Sequence, residues 1–267
     1  MKKILLPFLL LFAACGGTSL VNSNTDTGVT GTLSMGVAHH LSDGSILTAT
    51  GGIKTLTNDL GYQISLSEAE VGWARLILIS GGSALFPECV SGRDVSLNLL
   101  GADDILGTDL SSISVLTNQN IQQISYCRYQ IVLGSTNSPA GLILQNSDLN
   151  PREHSTSETP SGSASPTTVT YHFQGTWNKG STSGTFNYER TEAITLLPRD
   201  FQVVESSVVT NHPLHFHAGS THEDIAFELH YDTLFSGIDF ESQSSEEEQT
   251  NLNSNFSESI HQTITSD

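Results

Sequence analysis

Apolar and polar positions alternate along most of this chain in short stretches, and a two-residue period predicts strands rather than helices. The expected strands cover 29–38, 62–66, 71–79, 94–99, 113–116, 126–133, 168–177, 184–189, 191–197, 201–209, 214–217 and 225–231. β-Branched and aromatic residues fill them, and Gly, Asn, Asp and Ser separate them. Strands this short and frequent predict a mainly β protein, an antiparallel β-sandwich or barrel. The period changes at the C-terminus. There Leu252, Phe256, Ile260 and Ile264 recur every four residues and share one face of an amphipathic helix. Glu246, Glu247 and Glu248 suit the positive end of its dipole.

Two stretches break the alternation. Residues 147–167 are rich in Ser, Thr and Pro, with little to bury. They read as a disordered loop or linker between β-rich parts at 28–146 and 168–267. Residues 4–14 form an apolar run behind Lys2 and Lys3, too short to span a bilayer and suited to an export signal. With Ala13, Ala14 and Cys15 at its end, this segment resembles the signal peptide of bacterial lipoproteins. The resemblance implies that residues 1–14 are removed and that Cys15 carries the lipid. Residues 15–27 then act as a flexible tether, and the protein is anchored in the cell envelope, at the outer membrane in a Gram-negative cell. The membrane is the partner this implies, through the lipid anchor. Cys89 and Cys127 remain, and in an oxidising compartment a disulfide between them is expected. Its stabilisation would be roughly 4 kcal/mol in the chain-entropy model.

Charge narrows the function classes. The 267 residues hold 28 acids against 10 Lys and Arg, a formal charge of −18. No basic stripe exists to displace counterions from phosphate, so nucleic acid is excluded as a partner. The sequence also lacks a Gly-rich phosphate loop, a G-x-S-x-G elbow, an H-E-x-x-H helix and a D-x-D-x-D-G loop.

Histidine is the unusual feature. Five of ten lie between 212 and 230, in HPLHFHAGSTHEDIAFELH. If 214–217 and 225–231 pair as one antiparallel hairpin, a single apolar face requires Leu214 opposite Leu229 and Phe216 opposite Phe227. His215 then lies opposite Glu228, with His217 and His230 on the same face. Three imidazoles and a carboxylate suit zinc or copper. His212, His222 and Glu223 are further candidate donors near the hairpin. His39, His40 and His172 read as lone, satisfied histidines, and His154 and His261 as surface residues.

H-x-H at 215–217 followed by E-x-H at 228–230 resembles the zinc-binding strands of α-class carbonic anhydrases. That resemblance implies His215, His217 and His230 as zinc ligands and Glu228 as the residue orienting one of them. The H-x-G-S-T run at 217–221 and the F-x-G-I-D-F run at 235–240 resemble MbnP-like periplasmic metal-binding lipoproteins, β-rich and associated with copper. The expected function is a lipid-anchored envelope protein that sequesters or delivers copper or zinc. Two alternatives stand beside it. One is a zinc-dependent enzyme, performing hydration or hydrolysis at a three-His site. The other is a metal-free structural or adhesin-type lipoprotein.

Overall fold

A computed structural model describes residues 32–81, 89, 94–100, 102–104, 106, 110–115, 121, 124–135, 167–205, 208–211, 213–216 and 222–264. The signal peptide, Cys15, the tether, His212, His217, His154 and nearly all of 147–167 lie outside these residues.

The protein is mainly β, with a C-terminal helix. In chain order the strands begin β1 (Thr32–His40), β2 (Ala49–Thr50), β3 (Ile53–Thr57), β4 (Gln63–Ile79), β5 (Val95–Leu100) and β6 (Ala102–Asp104). Next come β7 (Leu110–Val115), β8 (Ser125–Tyr126), β9 (Arg128–Leu133), β10 (Tyr171–Lys179), β11 (Thr182–Arg190) and β12 (Ile194–Thr195). The remainder is β13 (Arg199–Asp200), β14 (Gln202–Glu205), β15 (Val208–Asn211), β16 (Leu214–His215), β17 (His222–His230), α1 (Tyr231–Leu234), α2 (Ser245–Ser259) and β18 (Ile260–Ile264).

Strands 62–66 and 71–79, expected as two, are one continuous strand. β4 runs through both layers, its first half between β3 and β10 and its second between β5 and β9. Its register shifts opposite Gln174/Gly175 and at Trp73/Arg75, so it bends without ending. Gly175 is required at the first bend, because a Cβ there would lie 2.1 Å from the Ser65 carbonyl oxygen. Most pairs are antiparallel, as expected. Two are parallel, β1 with β17 and β14 with β18. The main sheet follows the order β11-β10-β4-β5-β7-β1-β17-β18-β14-β15. Trp73, Tyr171, Phe173, Phe227, Phe235 and Phe256 are fully buried between its layers and under α2. Cys89 and Cys127 form a disulfide, with Cα atoms 6.1 Å apart.

The C-terminal helix is shorter than its periodicity suggests. Leu252 and Phe256 bury on α2, but the helix stops at Ser259, and Ile260 and Ile264 belong to β18. At the start, the Ser244 hydroxyl accepts from the Glu247 amide while the Glu247 carboxylate accepts from the Ser244 amide, a capping box. Glu248 is not solvated like its neighbours; it is buried and accepts from the Tyr188 hydroxyl at 2.7 Å. At the end, Arg199 donates to the carbonyls of Ser257 and Ile260. Those carbonyls have no further turn to bond, so the guanidinium both satisfies them and holds the start of β18.

A lysine lies inside the core. Lys54 faces inward from β3 with no exposed surface, while its neighbour Ile53 is 45% exposed. His39 Nε2 donates to both carboxylate oxygens of Asp103, at 2.8 and 2.9 Å, and Lys54 Nζ stands 3.2 Å from His39 Nδ1. An ionised Asp103 can only accept, so Nε2 carries the hydrogen and Nδ1 is left to accept from the ammonium. The imidazole thus relays a buried ion pair across β1, β3 and β6. Removing one member leaves an uncompensated charge in the core, at a cost of about 3–5 kcal/mol. We expect Asp103→Ala to lower unfolding free energy in urea by that amount. A loss below about 1 kcal/mol, the level of an exposed pair, would show that the charge is not held as described.

Candidate metal centre

Three neighbouring strands build the site. β1 runs parallel to β17 with Ala38 opposite Glu228 and His40 opposite His230; β18 runs antiparallel with His261 opposite Glu228. Strand residues alternate between faces. Met35, Val37 and His39 therefore join Ile225, Phe227, Leu229, Ile260 and Gln262 on the core side. His40, Glu228, His230 and His261 fall on the opposite face.

There the donors converge. Glu228 Oε2 lies 3.4 Å from His230 Nε2 and 3.6 Å from His40 Nδ1. One ligand atom from each of the three residues falls within 4.8 Å of the others, and the group could hold a metal ion. The side chains are only 9–15% exposed. Charge-assisted N–H···O bonds are about 2.7–2.9 Å long, so these contacts are long for direct ion pairs. With metal–nitrogen and metal–oxygen bonds near 2.1 Å, a tetrahedral site has edges of about 3.4 Å. Both observed separations match that edge. Two of the three edges among these donors thus suit a four-coordinate ion, and the third, between His40 and His230, is within 4.8 Å.

Glu228 is held well below the usual carboxylate range by its bonds to His230 and then His40, which outweigh burial. The His261 ring is half-buried and stacks on His230 with centroids 4.5 Å apart and planes 26° apart. Burial, followed by the neighbouring His230, lowers the His261 pKa. His40 stacks on the other side of His230 at 6.5 Å.

The expected hairpin does not form. β16 pairs with β8, placing His215 opposite Ser125 and Leu214 opposite Tyr126. Both edges of β17 are taken by β1 and β18, so no edge remains for β16. Glu228 and His230 do share a cluster, but His261 stands opposite Glu228 where His215 was expected, and His40 joins from the other edge of β17, opposite His230. His222 and Glu223 begin β17, seven or eight residues from His230, which is about 23–26 Å along a strand. They cannot join the group at its other end. Neither His40 nor His261 behaves as its local sequence suggested. His40 stands beside Glu228 in the group that could hold a metal ion, and His261 is half-buried rather than open surface. The signal that could have found them is strand register, between segments almost 190 residues apart for His40 and across the intervening helix for His261, and no local pattern carries it. His172 bonds Asn187 and faces Glu68, away from this group.

Comparison with protein families, with curated proteins and with solved structures finds nothing that matches this chain. Its reading therefore rests on the residues themselves.

Because folded Glu228 lies below its ordinary value, its stabilising contribution is complete above the unfolded carboxylate value of about 4.3 and is lost as pH falls below it. Urea titration of metal-free protein between about pH 3 and 5 should show stability falling with acid, and Glu228→Gln should flatten that limb. An unchanged limb would mean that Glu228 gains nothing from the histidines.

Proposed function

We propose that this protein is a lipid-anchored cell-envelope protein that holds one transition-metal ion, zinc or copper, at His40, Glu228 and His230, for sequestration or delivery. The observation that carries the reading is the match between the two donor separations and the edge of a tetrahedral site. Two imidazoles with one carboxylate suit the borderline ions zinc and copper better than calcium or magnesium, which favour all-oxygen shells. Placement on adjacent, fully paired strands supports it, since donors on rigid elements pay little entropy to meet an ion. The charge balance supports it too. After Arg199 the chain has no Lys or Arg but 13 acids, a setting that favours a cation. The Cys89–Cys127 disulfide suits an oxidising compartment, and Cys15 with its apolar leader suits lipid anchoring.

A zinc-dependent hydration or hydrolysis reaction is the second reading. It is favoured by the count of three donors, because a fourth position left to water is what a hydrolytic zinc site needs.

Purified full-length protein incubated with zinc or copper and desalted should retain near-stoichiometric metal by mass spectrometry. The double variant His40→Ala/His230→Ala should lose it, whereas His215→Ala should keep it. Retention in the double variant would sink the assignment. Separately, Cys15→Ala expressed in a bacterial envelope should move the protein from the membrane fraction to the soluble fraction. An unchanged distribution would rule out anchoring through that cysteine.

A further inference from the structure

We infer that His261 supplies the fourth donor, closing a shell of three imidazoles and one carboxylate around the ion; this rests on the metal reading of the same site. His261 is directly opposite Glu228 on the neighbouring strand and on the same face. Directly opposed residues have Cβ atoms about 4.5–5.5 Å apart, a gap that an imidazole spans. Its ring already lies 4.5 Å from that of His230, so His40, His230 and His261 form a run of rings across β1, β17 and β18. The three donors of the existing group occupy three corners. A His261 nitrogen would reach the fourth by side-chain rotation from its place opposite Glu228.

The backbone is held firmly enough for this. Arg199 bonds the Ile260 carbonyl, and the Gln262 side chain bridges to the Gln202 amide at 2.9 Å where β18 and β14 have separated. A cavity of about 380 Å³ lies beside β18, lined by Tyr129, Arg199, Asp200, Gln202, His261 and Gln262. With a His261 nitrogen on the ion the fourth position is closed; without it, that position is open to water or a small anion.

Cobalt(II) tests this on the full chain, because its visible bands report coordination number and azide reports an open position. Wild-type protein loaded with Co²⁺ should show the intense bands of four-coordinate cobalt and should not change when azide is added. His261→Phe keeps a ring over His230 but removes the donor. It should bind Co²⁺ at least about 10-fold more weakly and take up azide with a visible spectral shift. A wild-type spectrum that shifts readily with azide would overturn the inference while leaving the metal site intact. Equal affinity and equal azide resistance in His261→Phe would overturn it in the same way, marking His261 as packing only. Failure of wild type to bind Co²⁺, Zn²⁺ or Cu²⁺ at all would instead remove the metal reading, and this inference with it.

Discussion

Burying an ammonium in a protein core is tolerable only if the charge is met within hydrogen-bond distance, and Lys54 meets that demand through His39 and Asp103. The relay ties β1 and β3 to β6, some way along the chain from both. It also sets the orientation of β1. With His39 held inward by Asp103 and Lys54, the next residue must point to the other face, and His40 is thereby delivered to Glu228 and His230. A one-residue slip of β1 would expose the buried charge partners and withdraw a donor from the metal group at once. Core electrostatics and the candidate site are thus two sides of one strand.

The second determinant is the way the sheet ends beyond β17. The C-terminal chain leaves α2 and immediately becomes β18, so one helix cap positions a strand of the site. Arg199, the last permanent cation in the sequence, bonds the final helical carbonyls and faces Glu258 at 3.5 Å. Its charge is engaged at the helix terminus, where it is also felt by His261. The Gln262 amide then does between β18 and β14 what a ladder bond would otherwise do.

Much of the fold was legible locally. The alternation of β10, β11 and β17, and the Leu252/Phe256 face of α2, follow from neighbour sterics and the burial of one face. Where local reasoning failed, a longer-range partner had overruled it. Periodicity would carry α2 on through Ile260 and Ile264, but those residues pair with Leu229 and Ile225 of β17. Lys54 sits on the buried side of β3 and Ile53 on the exposed side, an inversion that Asp103 and His39 help to explain.

The sequence by itself determined the β class, the terminal helix, the acidity and the face of β17 on which Glu228 and His230 stand, because alternation along a strand is set by its own residues. Which strands flank β17 was decided only by the tertiary structure. Hydrophobic patterning gives His215 and His40 equally acceptable places on a polar face. The choice between them depends on which strands take the two edges of β17, and β1 and β18 take both. The ligand set is therefore a property of strand order, and strand order is not written in any one segment.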